Sequence, residues 1–156
     1  MNTTRPSRDL YRFSLPGLAA GSVLAMACSG APAIPEAPVN DTFAAQAERG
    51  GALYGEYCAS CHGADGRGTD GAPPVVGLAD GALPLAPPDG AELRKRSFET
   101  VGDVATFVVA EMPPGDGGAL PEADYWAILA FDLKANGIEL EQPLDAQTAS
   151  TLVIPR

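Results

Sequence analysis

The sequence predicts an all-α domain, three or four helices joined by long irregular connections. Three observations carry that expectation. Apolar residues recur at helical spacing in "DTFAAQAERGGALYGEYCASCHG" and "TVGDVATFVVAEM", and "LPEADYWAILAFDLKANG" has the start and stop signals of a third helix. No alternating apolar and polar run of useful strand length appears. Residues 63–97 are crowded with Gly, Pro and Asp and hold no period. At 156 residues the chain has the length of one domain with a modest core.

Residues 1–27 read as a secretory signal. Three arginines stand in "MNTTRPSRDLYRF", and the uncharged, mostly apolar run "SLPGLAAGSVLAMA" follows, too short to cross a bilayer. Ala25-Met26-Ala27 forms an A-x-A cleavage site directly before Cys28. A free thiol at the first residue of an exported chain would be an odd leftover. Lipidation at Cys28 is therefore expected, with Leu24 one place earlier than the usual large residue of a lipobox. Residues 28–40, rich in Pro and Ala, then serve as a semi-extended tether. Removal of residues 1–27 takes away three arginines and one aspartate, leaving 7 basic against 19 acidic residues, a net charge of −12. Such a surface repels nucleic acid and anionic lipid.

The domain is expected over residues 41–140. Asp41 reads as the N-cap of the first helix, with Phe43, Ala47, Tyr54 and Cys58 on one face. Gly50-Gly51 costs on the order of 2 kcal/mol in helix propensity. Either the helix breaks there or another backbone packs very close. The loop 63–97 is long for a compact domain unless it wraps something; one short helical turn is expected around Ala91 to Lys95. Thr100 and Asp103 suggest a capped start, Val101, Val104, Ala105 and Val108 an apolar stripe, and Met112-Pro113-Pro114 a stop. The last helix has Pro121 near its first position, Glu122 and Asp124 at its positive end, Lys134 at its negative end, and Asn136-Gly137 as its C-cap. The tail, residues 141–156, is expected to fray.

"YCASCH", residues 57–62, places two cysteines and the only histidine within five positions. Zinc lacks a fourth nitrogen or sulfur ligand here, since Cys28 lies at the cleavage point and no second histidine exists. A dithiol switch expects a βαβ context that is missing. Covalent haem c fits. Cys58 and Cys61 share a helix face and can reach two vinyl groups on one porphyrin edge, while His62 offers its imidazole to the iron. Bis-histidine ligation is impossible with one histidine. Met1 and Met26 leave with the signal, so Met112 is the one thioether left to fill the sixth position. A vacant or water-bound sixth site is the competing arrangement.

CASCH with a later "MPP" and a closing aromatic helix resembles the class I c-type cytochromes, small monohaem electron carriers, here in a membrane-anchored bacterial lipoprotein form. The resemblance covers about residues 41–138. It implies a small cytochrome c fold, with helices and long loops wrapped around one haem. Gly50 and Tyr54 would pack on the C-terminal helix against Ile128 and Phe131, with Trp126 nearby. The carbonyl of Pro74 would accept the imidazole N–H and orient His62. Val75, Val76, Val101, Val108 and Trp126 would bury the haem.

The function that follows is one-electron transfer in an extracytoplasmic chain, not an enzyme acting on a small-molecule substrate. Redox partner proteins would dock at the exposed haem edge, and lipid at Cys28 would hold the membrane; no nucleic acid is involved. Arg67 and Arg94-Lys95-Arg96 read as solvated surface turns before any docking or propionate role. Tyr54, Tyr57 and Tyr125 read as core or pocket wall. The alternatives are a haem sensor or catalytic domain with an open sixth site, and a redox subunit of a larger dehydrogenase or oxidase.

Overall fold

The computed structural model describes residues 42–156. The signal, the Cys28 anchor, the tether and the expected cap Asp41 lie outside the described residues. Three longer helices and two short ones follow in order: α1 Phe43–Tyr57, α2 Ala59–His62, α3 Val101–Glu111, α4 Glu122–Ala135 and α5 Ala146–Thr151. Among the described residues there is no strand, only one isolated bridge between Thr100 and Val153.

Helix α1 is capped by Thr42, whose hydroxyl accepts from the Ala45 amide at 3.2 Å; the cap therefore falls one residue later than Asp41. The helix runs unbroken through Gly50-Gly51. The second of the two readings of that pair holds. A Cβ at Gly50 would collide with the Ala127 carbonyl, because the backbone of α4 crosses there. Beyond the crossing, the rings of Tyr54 and Phe131 pack with centroids 5.0 Å apart, and the Arg49 guanidinium pairs with Asp124.

Helix α3 opens with the expected capping box, Thr100 and Asp103 each serving the other's backbone, and ends with Met112 as its C-cap. Hydrogen bonds radiate from the Asn136 side chain and backbone cap at the end of α4. Its Oδ1 accepts from the Gly77 and Leu78 amides at 2.8 and 3.0 Å, and its Nδ2 donates to the Val75 carbonyl at 3.0 Å and the Asp132 carbonyl at 2.8 Å. Its backbone N–H reaches the Asp132 carbonyl. A sequence C-cap signal thus also anchors the loop 75–78. That loop forms the one short 3-10 turn, Leu78–Asp80; the turn expected around Ala91 to Lys95 does not form.

The tail is packed, contrary to the frayed end expected of it. Leu144 is almost wholly buried and bonded twice to the buried Gln46, whose Nε2 donates to the Leu144 carbonyl at 2.9 Å and whose Oε1 accepts the Leu144 amide at 2.7 Å. Asp145 caps α5 through the Thr148 amide. Leu152 and Ile154 pair with the start of α3, and Arg156 donates to the carbonyls of Ala82 and Leu83. Leu144, Ala149 and Ile154 join the core with Phe43, Val101 and Leu129, and that burial outweighs the entropy of a free end.

Two alanine substitutions in α1 should move stability in opposite directions. Gly50→Ala forces the α1–α4 crossing apart and should cost about 1–3 kcal/mol as an overpacked contact. At Gly55 a Cβ would meet nothing within 4 Å. Gly55→Ala should therefore stabilise by about 0.5–1 kcal/mol. Thermal unfolding of the haem-loaded protein checks both; equal shifts would refute the close crossing.

Candidate haem site

The backbone of α1 breaks its helical path at Cys58 (φ −116°, ψ −36°), and α2 restarts from that residue's carbonyl, which accepts the amides of Cys61 and His62. The kink turns Cys58, Cys61 and His62 together into one cavity of about 690 Å³. That volume lies within the ~300–1,000 Å³ of cavities that hold whole organic ligands. Leu78, Leu83, Phe98, Val104 and Leu129 are among its apolar walls, and the Met112 side of the fold closes it together with Pro113 and Pro114. The loop 63–97 supplies a large share of the lining, so it does wrap something.

His62 Nδ1 stands 2.8 Å from the carbonyl of Pro73. A carbonyl only accepts, so Nδ1 carries the proton and Nε2 keeps its lone pair. The acceptor expected from the resemblance was Pro74. The structure moves that role one residue earlier, while the Pro74 carbonyl accepts from the Leu83 amide and Pro74 itself still lines the cavity. The intervening loop is short-circuited by two contacts: the Gly68 amide donates to the His62 carbonyl at 2.7 Å, and Thr69 Oγ1 donates to the Cys61 carbonyl at 2.5 Å.

Val76, expected on the cavity wall, is not there. Its side chain covers Gly66, whose left-handed φ of +72° brings it so close that a Cβ would strike Val76. Val75, Val101 and Val108 do line the cavity; Trp126 does not, and its indole N–H donates to Glu122. Tyr54 lines it and donates to the Gly63 carbonyl at 3.0 Å. At the other end of the cavity's chain order, the carbonyl of Met112 accepts from the Tyr125 hydroxyl at 2.9 Å, which ties the "MPP" turn to α4. Sequence reasoning placed Tyr125 only as core or wall.

Arg94 overturns its reading as a solvated turn. It is 8% exposed, stacks over the Phe98 ring at 4.2 Å, and donates to the carbonyls of Pro84, Leu85 and Ala86. Burial lowers the pKa of its guanidinium, which nevertheless stays charged. Lys95 and Arg96 remain exposed, as does Arg67 beside Asp65.

The electrostatics favour an unreactive thiol at Cys58. Burial first, then Asp132 and Cys61, pushes its pKa up to about 11. A thiolate is what attacks a disulfide, so Cys58 is poorly suited to be the nucleophile of a dithiol switch. No group of three or more His, Cys, Asp or Glu side chains able to hold a metal ion occurs among the described residues. Burial and the nearby Asp132 likewise raise the pKa of Tyr54, which stays a hydrogen-bond donor. Asp132 itself was not anticipated from the sequence. It lines the cavity beside Cys58, and burial pushes its pKa up to about 8. The donors fit a haem: two cysteines at one rim, an oriented imidazole, a thioether and a large apolar enclosure.

Comparison with known proteins agrees. Residues 45–131, more than half of the chain, match the family described as cytochrome c oxidase, cbb3-type, subunit III. A thiosulfate dehydrogenase of Stutzerimonas stutzeri (strain A1501) is 34% identical over 89 residues, which are 53% of this chain and 25% of that protein. The chain thus spans a quarter of the length of that relative. The sulfane dehydrogenase SoxCD of Paracoccus pantotrophus is 27% identical, with 85% of this chain and 68% of that one covered and a TM-score of 0.45. The CASCH motif, the cavity it opens on and the family match converge: this chain belongs to the cytochrome c family of cbb3-type subunit III, an electron-carrying domain with haem c held through Cys58 and Cys61.

Proposed function

We propose that the chain is the one-electron relay of a larger extracytoplasmic redox enzyme, with His62 and Met112 as the axial ligands of its haem. The observation that carries the ligand assignment is that both side chains line one cavity, each tethered by a hydrogen bond at its own residue. The haem, when bound, supplies a single redox centre that takes up and gives back one electron.

The protein's residues make that exchange inexpensive in reorganisation. Pro73 holds the His62 ring by its proton, so Nε2 keeps one direction in both redox states. Tyr125 holds the backbone of Met112, so the thioether need not search for its place. His62 and Met112 would hold the iron between them and would leave no coordination site for a substrate. The methionine sulfur raises the reduction potential above that of a second imidazole. Walls such as Val101, Phe98 and Leu129 keep water away and disfavour the additional positive charge of the oxidised site. Both effects push the potential upward.

Electrons would leave and enter at the rim with Cys61, which is exposed; Tyr57 next to the motif and Leu93 on the loop also present apolar surface. This is the docking face for a redox partner. The relay reading follows from the kinds of protein that share the domain, an oxidase subunit and a dehydrogenase much longer than this chain. Export by residues 1–27, a lipid at Cys28 and a tether over residues 28–40 would keep the relay near its enzyme at the membrane. Among the described residues no helix is long and apolar enough to cross a membrane.

Two measurements test this reading. The ferric protein should show a near-infrared sulfur-to-iron charge-transfer band that disappears in Met112→Ala with conversion towards a high-spin spectrum; high-spin iron in the unaltered protein would overturn the ligand assignment. Mass analysis of the mature protein should find Cys28 as the first residue, carrying lipid. An unmodified N-terminus would remove the anchor.

A further inference from the structure

We propose that Asp132 is a proton-binding site coupled to the haem, so that this carrier takes up one proton with each electron and releases it on oxidation. The inference rests on the electron-carrier reading above. Among the described residues, Oδ1 of Asp132 is the buried side-chain oxygen that lacks any hydrogen-bond partner. The same residue lines the haem cavity.

The neighbours that could have neutralised it are committed elsewhere. Tyr54 gives its hydroxyl proton to Gly63, Tyr125 gives its own to Met112, and the Asn136 amide donates to the Val75 carbonyl and the Asp132 backbone. The other charged or titratable groups that share the cavity are Tyr54 and Tyr57 from α1, Cys58 at the kink, Cys61 and His62 from α2, Glu92 and Arg94 from the loop, and Tyr125 from α4; α3 presents apolar side chains there. Arg94 is held by three backbone carbonyls and Cys58 is consumed as a thioether. An unpaired carboxylate in such a place is costly unless it is protonated or faces positive charge.

Oxidation supplies that charge. The oxidised site carries one more positive charge than the reduced one, so the carboxylate form of Asp132 is favoured when the centre is oxidised and the carboxyl form when it is reduced. On reduction, one electron arrives from the redox partner and one proton from water closes the O–H bond of Asp132; on oxidation both leave, and the net charge of the site is unchanged. The sign follows. Burial alone lifts the pKa to about 8, and the oxidised centre pulls it lower. Between those two values the reduction potential falls as pH rises, and outside them it is flat.

Equilibrium redox titration of the full haem-loaded chain across pH tests this, with Asp132→Asn and Asp132→Leu alongside. The unaltered protein should show the reduction equilibrium constant falling towards tenfold per pH unit within a window that closes near pH 8, about 59 mV per unit for one electron. Both variants should lose that window. A flat potential in the unaltered protein overturns the proposal, as does a slope that survives in the variants, which would assign it to the haem carboxylates. Should neither variant mature, the unaltered protein still decides. Its infrared difference spectrum on reduction should gain a protonated-carboxyl band that moves with ¹³C-labelled aspartate, and a band that stays put refutes the assignment. Failure of the carrier reading itself looks different: no reversible one-electron step at any pH.

Discussion

The close crossing of α1 and α4 at Gly50 is the constraint from which the site follows. Because the Ala127 carbonyl occupies the space where a side chain would stand, the two helix backbones approach more closely than side chains on both helices would allow. The turns of α1 that follow then meet α4 in register. Tyr54 packs on Phe131, and Cys58 comes near Asp132. A glycine that weakens the helix locally thereby fixes where the haem-binding end of that helix points. The propensity lost there, about 1 kcal/mol, is small beside the burial gained by Phe43, Ala47, Ile128 and Leu129.

Regular structure contributes little to the half of the domain that wraps the cavity. Residues 63–99 contain one 3-10 turn, so most of their backbone polar groups have no ladder to join. Side chains take that role. Asn136 satisfies two amides and a carbonyl of the loop 75–78, Arg94 serves three carbonyls at 84–86, and Arg156 serves two at 82 and 83. Each is a fork-shaped or bifunctional group able to hold several backbone atoms at once. The tail belongs to this scheme, because Arg156 reaches its carbonyls only when Gln46 and Leu144 have docked residues 144–154.

What could be read from the sequence was the part governed by local rules. The helical period, the Thr100–Asp103 capping box, the stop at Met112-Pro113 and the spacing of CASCH all act within one or two turns, so they appear in the string of residues. The glycine pair announced a close approach, and the family resemblance named the C-terminal helix as the partner, which Tyr54 also meets through Phe131. What escaped was set by contacts far apart in sequence or by a choice between adjacent equals. Pro73 and Pro74 are indistinguishable as carbonyl acceptors until the path of the loop is known. Val75 and Val76 differ only in which way the chain turns at Gly66. Arg94 looked like a surface charge because its three carbonyl partners have no sequence signature, and the tail looked free because its partner Gln46 lies 98 residues away.

The remaining departure from local rules is Asp132. On the faces of α4 turned to the core stand Ile128, Leu129 and Leu133, and a leucine at 132 would continue the pattern. The Asp carboxyl instead carries a desolvation cost that nothing in the protein offsets by hydrogen bonding at Oδ1. Stability alone therefore argues against it. Groups that lower stability in this way are found where the reaction needs them, because only there does the lost stability return as function. Asp132 stands beside the cysteine that bonds the haem, in the one enclosure whose charge changes during turnover, and at that place a group able to exchange a proton near neutral pH senses each electron.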